Sequence, residues 1–294
     1  MTSTGVPRHA TERGLQPPDS SFTLKDHSLG SNLVEFLMEE NPWAYAKRLR
    51  FMKEVLASEF AGKPPGSVRV LDVGCGNGSF LAIPLARCGF NVVGVDPHQP
   101  SIDRAQRLAE AMPNARFLAS EITKLEAGVF DVVILSEVLE HVYHPKELLQ
   151  ASLRHLKREG IVLVTVPNGY GEFEIDSWIY RTLRLKSGIG LLKRILQKAH
   201  PSWTRGGQTE TASATDNLEC GHVQFFRRRS LKQLFADCSL VVARESAGSF
   251  LCGPLVCHGL ARSRRFVEWN SRIADKLPLS LVSSWYFVLR PMAI

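Results

Sequence analysis

The sequence predicts an α/β protein with a doubly wound, mostly parallel sheet, and two observations carry this prediction. Short β-branched runs alternate with helical segments between residues 64 and 168. Glycine or polar residues directly follow several of these runs, as Gly74 follows the first and Asp96 the second. Because parallel strands joined by helices end at the same edge of a sheet, these residues are expected to meet at one ligand-binding edge.

The elements are predicted in the following order. Apolar positions at helical spacing predict an N-terminal helical cap within residues 31–63, which ends before Pro64. The alternating segments predict strands at 68–73, 91–95, 116–118, 130–135 and 161–166, with helices at 80–88, 101–111 and 145–156. After an interruption, the pattern predicts a helix at 230–237 and strands at 240–244 and 285–289, in the part of the core formed by 221–294.

Two further segments differ from this core in composition. Residues 1–30 are polar and have no apolar run of the signal-peptide type, which predicts a disordered tail. Residues 169–220 are basic and partly helical, and 177–209 contain seven Lys and Arg without an acid, which predicts an inserted helical lid on the acceptor side. The six cysteines are scattered without a C-x-x-C pair, which indicates reduced thiols and a cytoplasmic protein.

The segment 68–80, Val-Arg-Val-Leu-Asp-Val-Gly-Cys-Gly-Asn-Gly-Ser-Phe, carries the strongest functional signal. A strand, a tight turn and a helix start in that order form a site for a nucleotide-sized ligand. Glycines lack a Cβ, so the ligand can lie directly against the main chain. The sixth position counted from Gly74 is Ser79, which disfavours the pyrophosphate cradle of a dinucleotide site.

The pattern Asp-x-Gly-x-Gly-x-Gly, followed by Asp96 about twenty residues later, resembles motif I and the acidic loop of class I S-adenosylmethionine (SAM) dependent methyltransferases. The resemblance implies a seven-stranded Rossmann-like methyltransferase fold with a last antiparallel strand, and an enzyme that converts SAM to S-adenosylhomocysteine (SAH). It implies that Asp72 and the glycine backbone hold the methionine moiety and Asp96 the ribose. Phe117-Leu-Ala-Ser-Glu-Ile122 resembles the adenine-binding motif, with Glu121 where Asp is more usual. The cofactor-binding residues implied in this way are Asp72, Gly74, Cys75, Gly76, Asp96, Pro97, Glu121, Ile122, Ser136 and Glu137.

Two later segments resemble the small-molecule branch that includes the ubiquinone-pathway O-methyltransferases. These are residues 130–142, Phe-Asp-Val-Val-Ile-Leu-Ser-Glu-Val-Leu-Glu-His-Val, and 221–226, Gly-His-Val-Gln-Phe-Phe. The resemblance implies a small-molecule acceptor that is methylated on a hydroxyl group. A neutral hydroxyl benefits from a base, and His141 and His222 are the candidates, with Glu140 and Glu137 as partners of an imidazole.

A divalent metal is the sharpest alternative. Glu137, Glu140, His141 and His222 resemble the metal set of the small-RNA 3′-terminal methyltransferases, and carboxylate with imidazole suits magnesium, manganese or zinc. The same Leu-Glu-His is common in family members without a known metal, so the favoured expectation is a site without one.

Other hypotheses stay open at this point. Residues 191–199 place apolar and basic positions on separate helical faces, which is typical of a helix at an anionic membrane and permits a lipid-linked or glycan acceptor. The favoured alternative is a lid helix that packs its apolar face on its own domain and leaves its basic face in solvent. N- or C-methylation, metal-assisted 2′-O-methylation of an RNA end and a catalytically silent scaffold are the remaining alternatives. Arg227-Arg-Arg229 lacks interleaved aromatic residues, which argues against a nucleic-acid partner.

Overall fold

The computed structural model describes residues 40–171, 222–253, 256, 260 and 263–292. Within these ranges seven strands form one sheet. The strands are β1 (Arg69–Val73), β2 (Asn91–Asp96), β3 (Ala115–Ala119), β4 (Phe130–Ser136), β5 (Leu156–Pro167), β6 (Leu240–Ala247) and β7 (Ser284–Pro291). The tail at 1–30 and almost all of the insertion at 169–220 lie outside the described residues.

The strands are arranged in the order β3-β2-β1-β4-β5-β7-β6. The first five pair in parallel, and β7 is antiparallel to both β5 and β6. The predicted doubly wound, mostly parallel, seven-stranded sheet is confirmed, including its last antiparallel strand.

Six α-helices accompany this sheet in the described ranges, and helices lie on both of its faces. They are α1 (Tyr45–Glu59), α2 (Ala82–Arg87), α3 (Gln99–Leu108), α4 (Pro145–Leu153), α5 (Arg228–Asp237) and α6 (Arg264–Ile273). None of the described helices is both long and apolar enough to cross a bilayer.

The strands bury side chains on both faces, since successive side chains point to opposite sides. In β1, Val70 packs with α1 to α3, while Leu71 and Val73 belong to the core that includes residues of α4 and α5. Each fully buried Val or Leu contributes about 1.5–3 kcal/mol to folding relative to an exposed one. Double burial explains why β1, β2 and β4, in the middle of the sheet, are mostly apolar runs without alternation, whereas the edge strand β6 contains exposed and polar residues.

The elements differ from the predicted ones mainly at their ends. Within the described residues, the N-terminal helix begins at Tyr45, the helix after the glycine turn begins at Ala82, and β5 begins at Leu156, where a helix was predicted to end. Helix α6 was not predicted, although Phe266, Trp269 and Ile273 recur in it at helical spacing.

Candidate active site

The sheet order brings the predicted functional residues to one edge. Gly74 follows β1, Asp96 ends β2, and Glu137 follows β4, and these three strands are neighbours in the sheet. The backbone N–H of Ser120, after β3, donates to the carbonyl of Asp96 at 3.2 Å. Candidate residues on four strands therefore share the carboxyl edge of the parallel strands, where ligands bind in such folds.

The turn after β1 requires glycine for two reasons. Gly74 has a φ of +70°, and a Cβ there would lie 2.7 Å from Cγ2 of Val138. Gly78 has a φ of +73°, and its Cβ would lie 2.7 Å from the ring of Phe117. The missing side chains allow the turn to pack closely against neighbouring segments, which leaves main-chain atoms at the site edge.

Asp96 connects this turn to β2. Its Oδ2 accepts the N–H of Gly76 at 2.9 Å, and its Oδ1 accepts the N–H of His98 at 2.9 Å. Each carboxylate oxygen can accept a further hydrogen bond. The side chain is thus fixed in place while it keeps acceptor capacity for a ligand.

The predicted adenine-side residues lie beyond β3. Glu121 is exposed and pairs with Lys124 at 3.0 Å, while Ile122 is buried in the first position of a short 3₁₀ turn. Pro97 is exposed beside Asp96. These residues form an open rim, in contrast to the fixed carboxylate of Asp96.

Asp72 lies beneath the turn and is buried. Burial raises the pKa of its carboxyl to about 7, and the charge of Asp96 adds to this effect, while a hydrogen bond from the backbone of Ala82 opposes it. Burial, followed by the charges of Asp72 and Asp96, also raises the pKa of Cys75 well above its ordinary value, so its thiol is neutral. Asp72 therefore has a direct role in holding the turn to the start of α2.

The end of β4 contains a buried polar network. The Thr165 hydroxyl donates to Oε1 of Glu137 at 2.8 Å, and the hydroxyls of Ser136 and Thr165 are 2.9 Å apart. Arg48 from α1 donates to Ser136 at 3.3 Å and lies 3.4 Å from Oε1 of Glu137. Glu137 has a φ of +56°, a costly conformation for a residue with a side chain. Such strain is typical of functional segments.

Glu140, shortly after β4, is a second buried carboxyl group in addition to Asp72. It is 1% exposed, and its Oε2 has no hydrogen-bond partner among the described residues. Burial, followed by the charge of Glu137, raises the pKa of Glu140 well above its ordinary value. Its Oε1 lies 3.7 Å from Nε2 of His141.

The rings of His141 and His222 are in contact, although the two residues are 81 positions apart in the sequence. Their ring centroids are 5.0 Å apart in an edge-to-face arrangement. The backbone N–H groups of Val223 and Gln224 donate to the carbonyl of Glu140 at 2.9 and 3.0 Å, which fixes the segment of His222 against that of His141. One ligand atom from each of Glu140, His141 and His222 lies within 4.8 Å of the others. Glu137 lies outside this group.

These side chains line one wall of a cavity of about 220 Å³. Trp43, Tyr45 and Arg48 also line the cavity, and Tyr45 stacks on Phe80 of the turn after β1 with ring centroids 4.3 Å apart. The remaining lining residues are Glu137, Pro167, Cys252, Ser283 and Ser284. The cavity is thus adjacent to the glycine turn and open to the cluster of carboxyl and imidazole groups.

Comparison with known proteins identifies the family. The family described as "Methyltransferase domain" matches residues 44–244, about two thirds of the chain. This chain belongs to that methyltransferase family.

The methyltransferase has relatives over part of its length. It is 34% identical over 123 residues to a ubiquinone biosynthesis O-methyltransferase of Rickettsia akari, covering 41% of this chain and 48% of the relative. It is 36% identical over 132 residues to the mitochondrial ubiquinone biosynthesis O-methyltransferase of Mus musculus, covering 41% of this chain and 35% of that protein. The chain therefore spans half or less of the length of these two relatives.

A solved methyltransferase structure shares the fold. It is a SAM-dependent methyltransferase from Clostridium acetobutylicum, with a TM-score of 0.51 and 11% identity, covering 85% of this chain and 92% of that chain. At this identity the likeness supports the fold alone.

Sequence reasoning missed the α1 side of this methyltransferase site. Arg48 is 5% exposed, donates to Ser136 and hydrogen-bonds Tyr286, and its guanidinium lies 5.0 Å from the ring of Tyr45. Burial alone would lower the pKa of Arg48, but Glu137, Tyr286 and Tyr45 outweigh burial and raise it. An arginine at a buried position of the amphipathic pattern was the available signal, since arginine is almost never fully buried without a partner.

Proposed function

We propose that this methyltransferase uses SAM to methylate a hydroxyl group of a small-molecule acceptor. The observation that carries the proposal is the cavity beside the glycine turn, lined by Glu140, His141 and His222. A volume of about 220 Å³ suits the reacting part of a small acceptor. The names of the two relatives support oxygen as the methylated atom.

The donor side suits SAM, because Gly74 and Gly78 let the turn pack against Val138 and Phe117 and leave its main chain at the carboxyl edge of the sheet. When bound, SAM supplies a methyl group on a positively charged sulfur. Asp96 would accept the ribose hydroxyls, and Glu121 with the N–H of Ile122 would hold the adenine. The main chain of the turn would hold the rest of SAM, and Asp72 supports the turn from below. The other proposed contacts are Cys75, Gly76 and Pro97 at the edge of the turn and Ser136 and Glu137 opposite it.

On the acceptor side, His222 is the proposed general base. Partial burial and then the nearby His141 lower its pKa, while Glu137 raises it, so the ring is neutral near pH 7 and can accept the hydroxyl proton. His141 and Glu140 would orient that ring and the acceptor. Holding both reactants in line and excluding water supplies the rest of the rate enhancement.

Binding and turnover test this proposal separately. SAH is expected to raise the melting temperature of the wild type, and isothermal titration to give a measurable heat. Asp96→Ala should weaken SAH binding by about 100-fold, because hydrogen bonds to a charged acceptor contribute about 1.5–3 kcal/mol each. Asp103→Ala, which removes a partly exposed carboxylate on α3 that accepts a hydrogen bond from Gln99, serves as the matched control.

Labelled SAM with a panel of hydroxylated aromatic acceptors then tests turnover. Label on an acceptor oxygen supports the proposal. Label on nitrogen or carbon would redirect it to N- or C-methylation, and SAH binding without turnover on any acceptor class would favour the scaffold hypothesis. Absence of both heat and thermal stabilisation would overturn the proposal.

A divalent cation is a second candidate, favoured by the unpartnered Oε2 of Glu140 beside two imidazoles. Glu140, His141 and His222 would be its ligands, and a bound cation would polarise the acceptor hydroxyl. Titration of the protein alone with magnesium, manganese and zinc, followed by thermal unfolding, provides a readout besides activity. Wild type should be stabilised and His141→Ala unresponsive, with His144→Ala as control. Activity and melting temperature that are unchanged by exhaustive chelation would rule this candidate out.

A further inference from the structure

Helix α6 carries an apolar stripe that is partly exposed at two positions and exposed at a third. Phe266, Trp269 and Ile273 follow one helical stripe at spacings of three and four residues, and Trp269 is 47% exposed. The rings of Phe266 and Trp269 lie 5.7 Å apart. The buried side carries Val267, Asn270 and Ser271. The helix thus keeps its largest ring, that of Trp269, in solvent, although two of the three residues on its buried side are polar.

Positive charge runs beside this stripe. Arg265 and Arg272 are exposed and lie four residues before and three residues after Trp269, on one side of the apolar stripe. The one acid of the helix, Glu268, pairs with Arg264 at 3.0 Å. Asp275, just after the helix, pairs with Lys47 at 2.7 Å. The acids in and next to the helix are therefore engaged in ion pairs, and the outer face is basic.

We propose that α6 is an interfacial helix that docks on an anionic lipid surface. An apolar stripe with flanking arginines lies in the plane of a bilayer, with the apolar side chains in the boundary region and the guanidinium groups at the lipid phosphates. Tryptophan favours this boundary because its ring is apolar and its N–H is polar. The net charge of +7 favours approach to such a surface.

The buried side of α6 connects this surface to the cavity. The side chain of Asn270 accepts the N–H of Leu251 at 2.8 Å and donates to the carbonyl of Leu251 at 2.7 Å. The next residue, Cys252, lines the cavity. If the proposed methyl transfer holds, docking through α6 would place the acceptor cavity next to lipid-borne hydroxyl compounds. The docking itself does not depend on that activity.

Vesicle co-sedimentation of the full chain tests the docking without SAM or acceptor. Wild type should sediment with phosphatidylcholine vesicles that contain phosphatidylglycerol, should not sediment with phosphatidylcholine alone, and should be released by high salt. The double variant R265E/R272E should bind at least about thirtyfold more weakly, since each cationic residue near the surface contributes about 1 kcal/mol. Trp269→Ser should lower the affinity by about tenfold through lost apolar burial.

R107E/R116E is the matched control, because it makes the same charge change at exposed positions near the opposite edge of the sheet. It should bind nearly as wild type. The proposal is overturned if wild type ignores anionic vesicles, or if R265E/R272E binds as well as R107E/R116E, which would assign the binding to another surface. Light scattering that shows a dimer dissociated by Trp269→Ser would also overturn it, because the stripe would then be covered by a second copy of the chain.

Discussion

The donor and acceptor sides of the site are built in different ways. On the donor side, both oxygens of Asp96 accept backbone N–H groups, and the turn is shaped by glycines of one short segment. On the acceptor side, Arg48 and Glu140 are buried with Nε and Oε2 lacking hydrogen-bond partners among the described residues, and Glu137 has a strained backbone. The first is organised by main chain, and the second by charged side chains from distant parts of the sequence.

The donor and acceptor sides are therefore stabilised by different interactions. On the donor side, hydrogen bonds from the backbone hold Asp96 in the absence of a ligand. Buried polar atoms without partners cost about 1–3 kcal/mol each, so the acceptor side depends on its remaining ion pair and hydrogen bonds. Substitutions on the two sides should therefore have distinct consequences for stability and activity.

Removal of the Arg48 guanidinium should have the largest effect on stability. Arg48→Met leaves Glu137 without its cation and removes hydrogen bonds to Ser136 and Tyr286. Breaking such a buried pair costs about 3–5 kcal/mol of unfolding free energy, which urea unfolding measures.

Arg50→Met is the control on the same helix. Arg50 is exposed and pairs with Glu40, so its loss should cost under about 1 kcal/mol. The double variant R48M/E137Q should recover part of the loss, because no uncompensated charge remains. Equal stability of R48M and R50M would show that the acceptor side is not held together by this pair.

The pH dependence of the unfolding free energy tests the role of Asp72 on the donor side. Its folded-state pKa is raised from 3.8 to about 7, so between these values the folded protein keeps a proton that the unfolded chain releases. Stability is therefore highest below about pH 4 for this group and falls as pH rises towards 7, by about 4 kcal/mol at most.

Asp72→Asn should flatten this dependence in urea unfolding measured from pH 4 to 8, whereas Asp103→Asn should leave it unchanged. The variant should be as stable as wild type, or more so, at pH 8. An unaltered pH dependence in Asp72→Asn would mean that the carboxyl beneath the turn is not the titrating group.

The contrast between the two sides also explains what the sequence could predict. The β1 turn and Asp96 are joined by local rules, since glycine spacing and strand ends define their positions within a short segment. The sheet follows from apolar runs of strand length separated by helices. The turn with Asp96 and the sheet could both be predicted because each depends on local residue spacing.

The acceptor side depends on contacts between distant residues. His141 and His222 were predicted as separate candidate bases, but their edge-to-face contact depends on hydrogen bonds from the 223–224 backbone to Glu140. Arg48 lies in α1, and its burial was not predicted because the apolar residues of that helix dominate the sequence pattern. Helix α6 has an apolar stripe at helical spacing, but the side that it buries carries Asn270 and Ser271 beside Val267, which the sequence pattern does not indicate.

His222 tests the chemistry of the acceptor side. His222→Gln should lower kcat by about 100-fold, the usual contribution of a positioned base, while SAH affinity stays unchanged. In the wild type, the acid limb of kcat/KM should lie below pH 6.5, because burial and His141 lower the pKa of His222.

His144→Gln is the control, as His144 is exposed three residues beyond His141. It should keep the wild-type rate and profile. If His222→Gln retains the same acid limb, another group accepts the proton and the acceptor side works through proximity or a bound cation.

Glu140 should have the smallest effect on stability. Burial raises the pKa of its carboxyl well above the ordinary value and so favours the neutral form, and Glu140→Gln puts a neutral amide of similar shape in its place. The unfolding free energy should change by under about 1 kcal/mol, because the lost oxygen has no hydrogen-bond partner to leave unsatisfied. Glu147→Gln, at an exposed position of α4, is the control. A loss of several kcal/mol in E140Q would mean that the carboxyl holds a structural contact, and that the two sides of the site are more alike than their hydrogen bonds indicate.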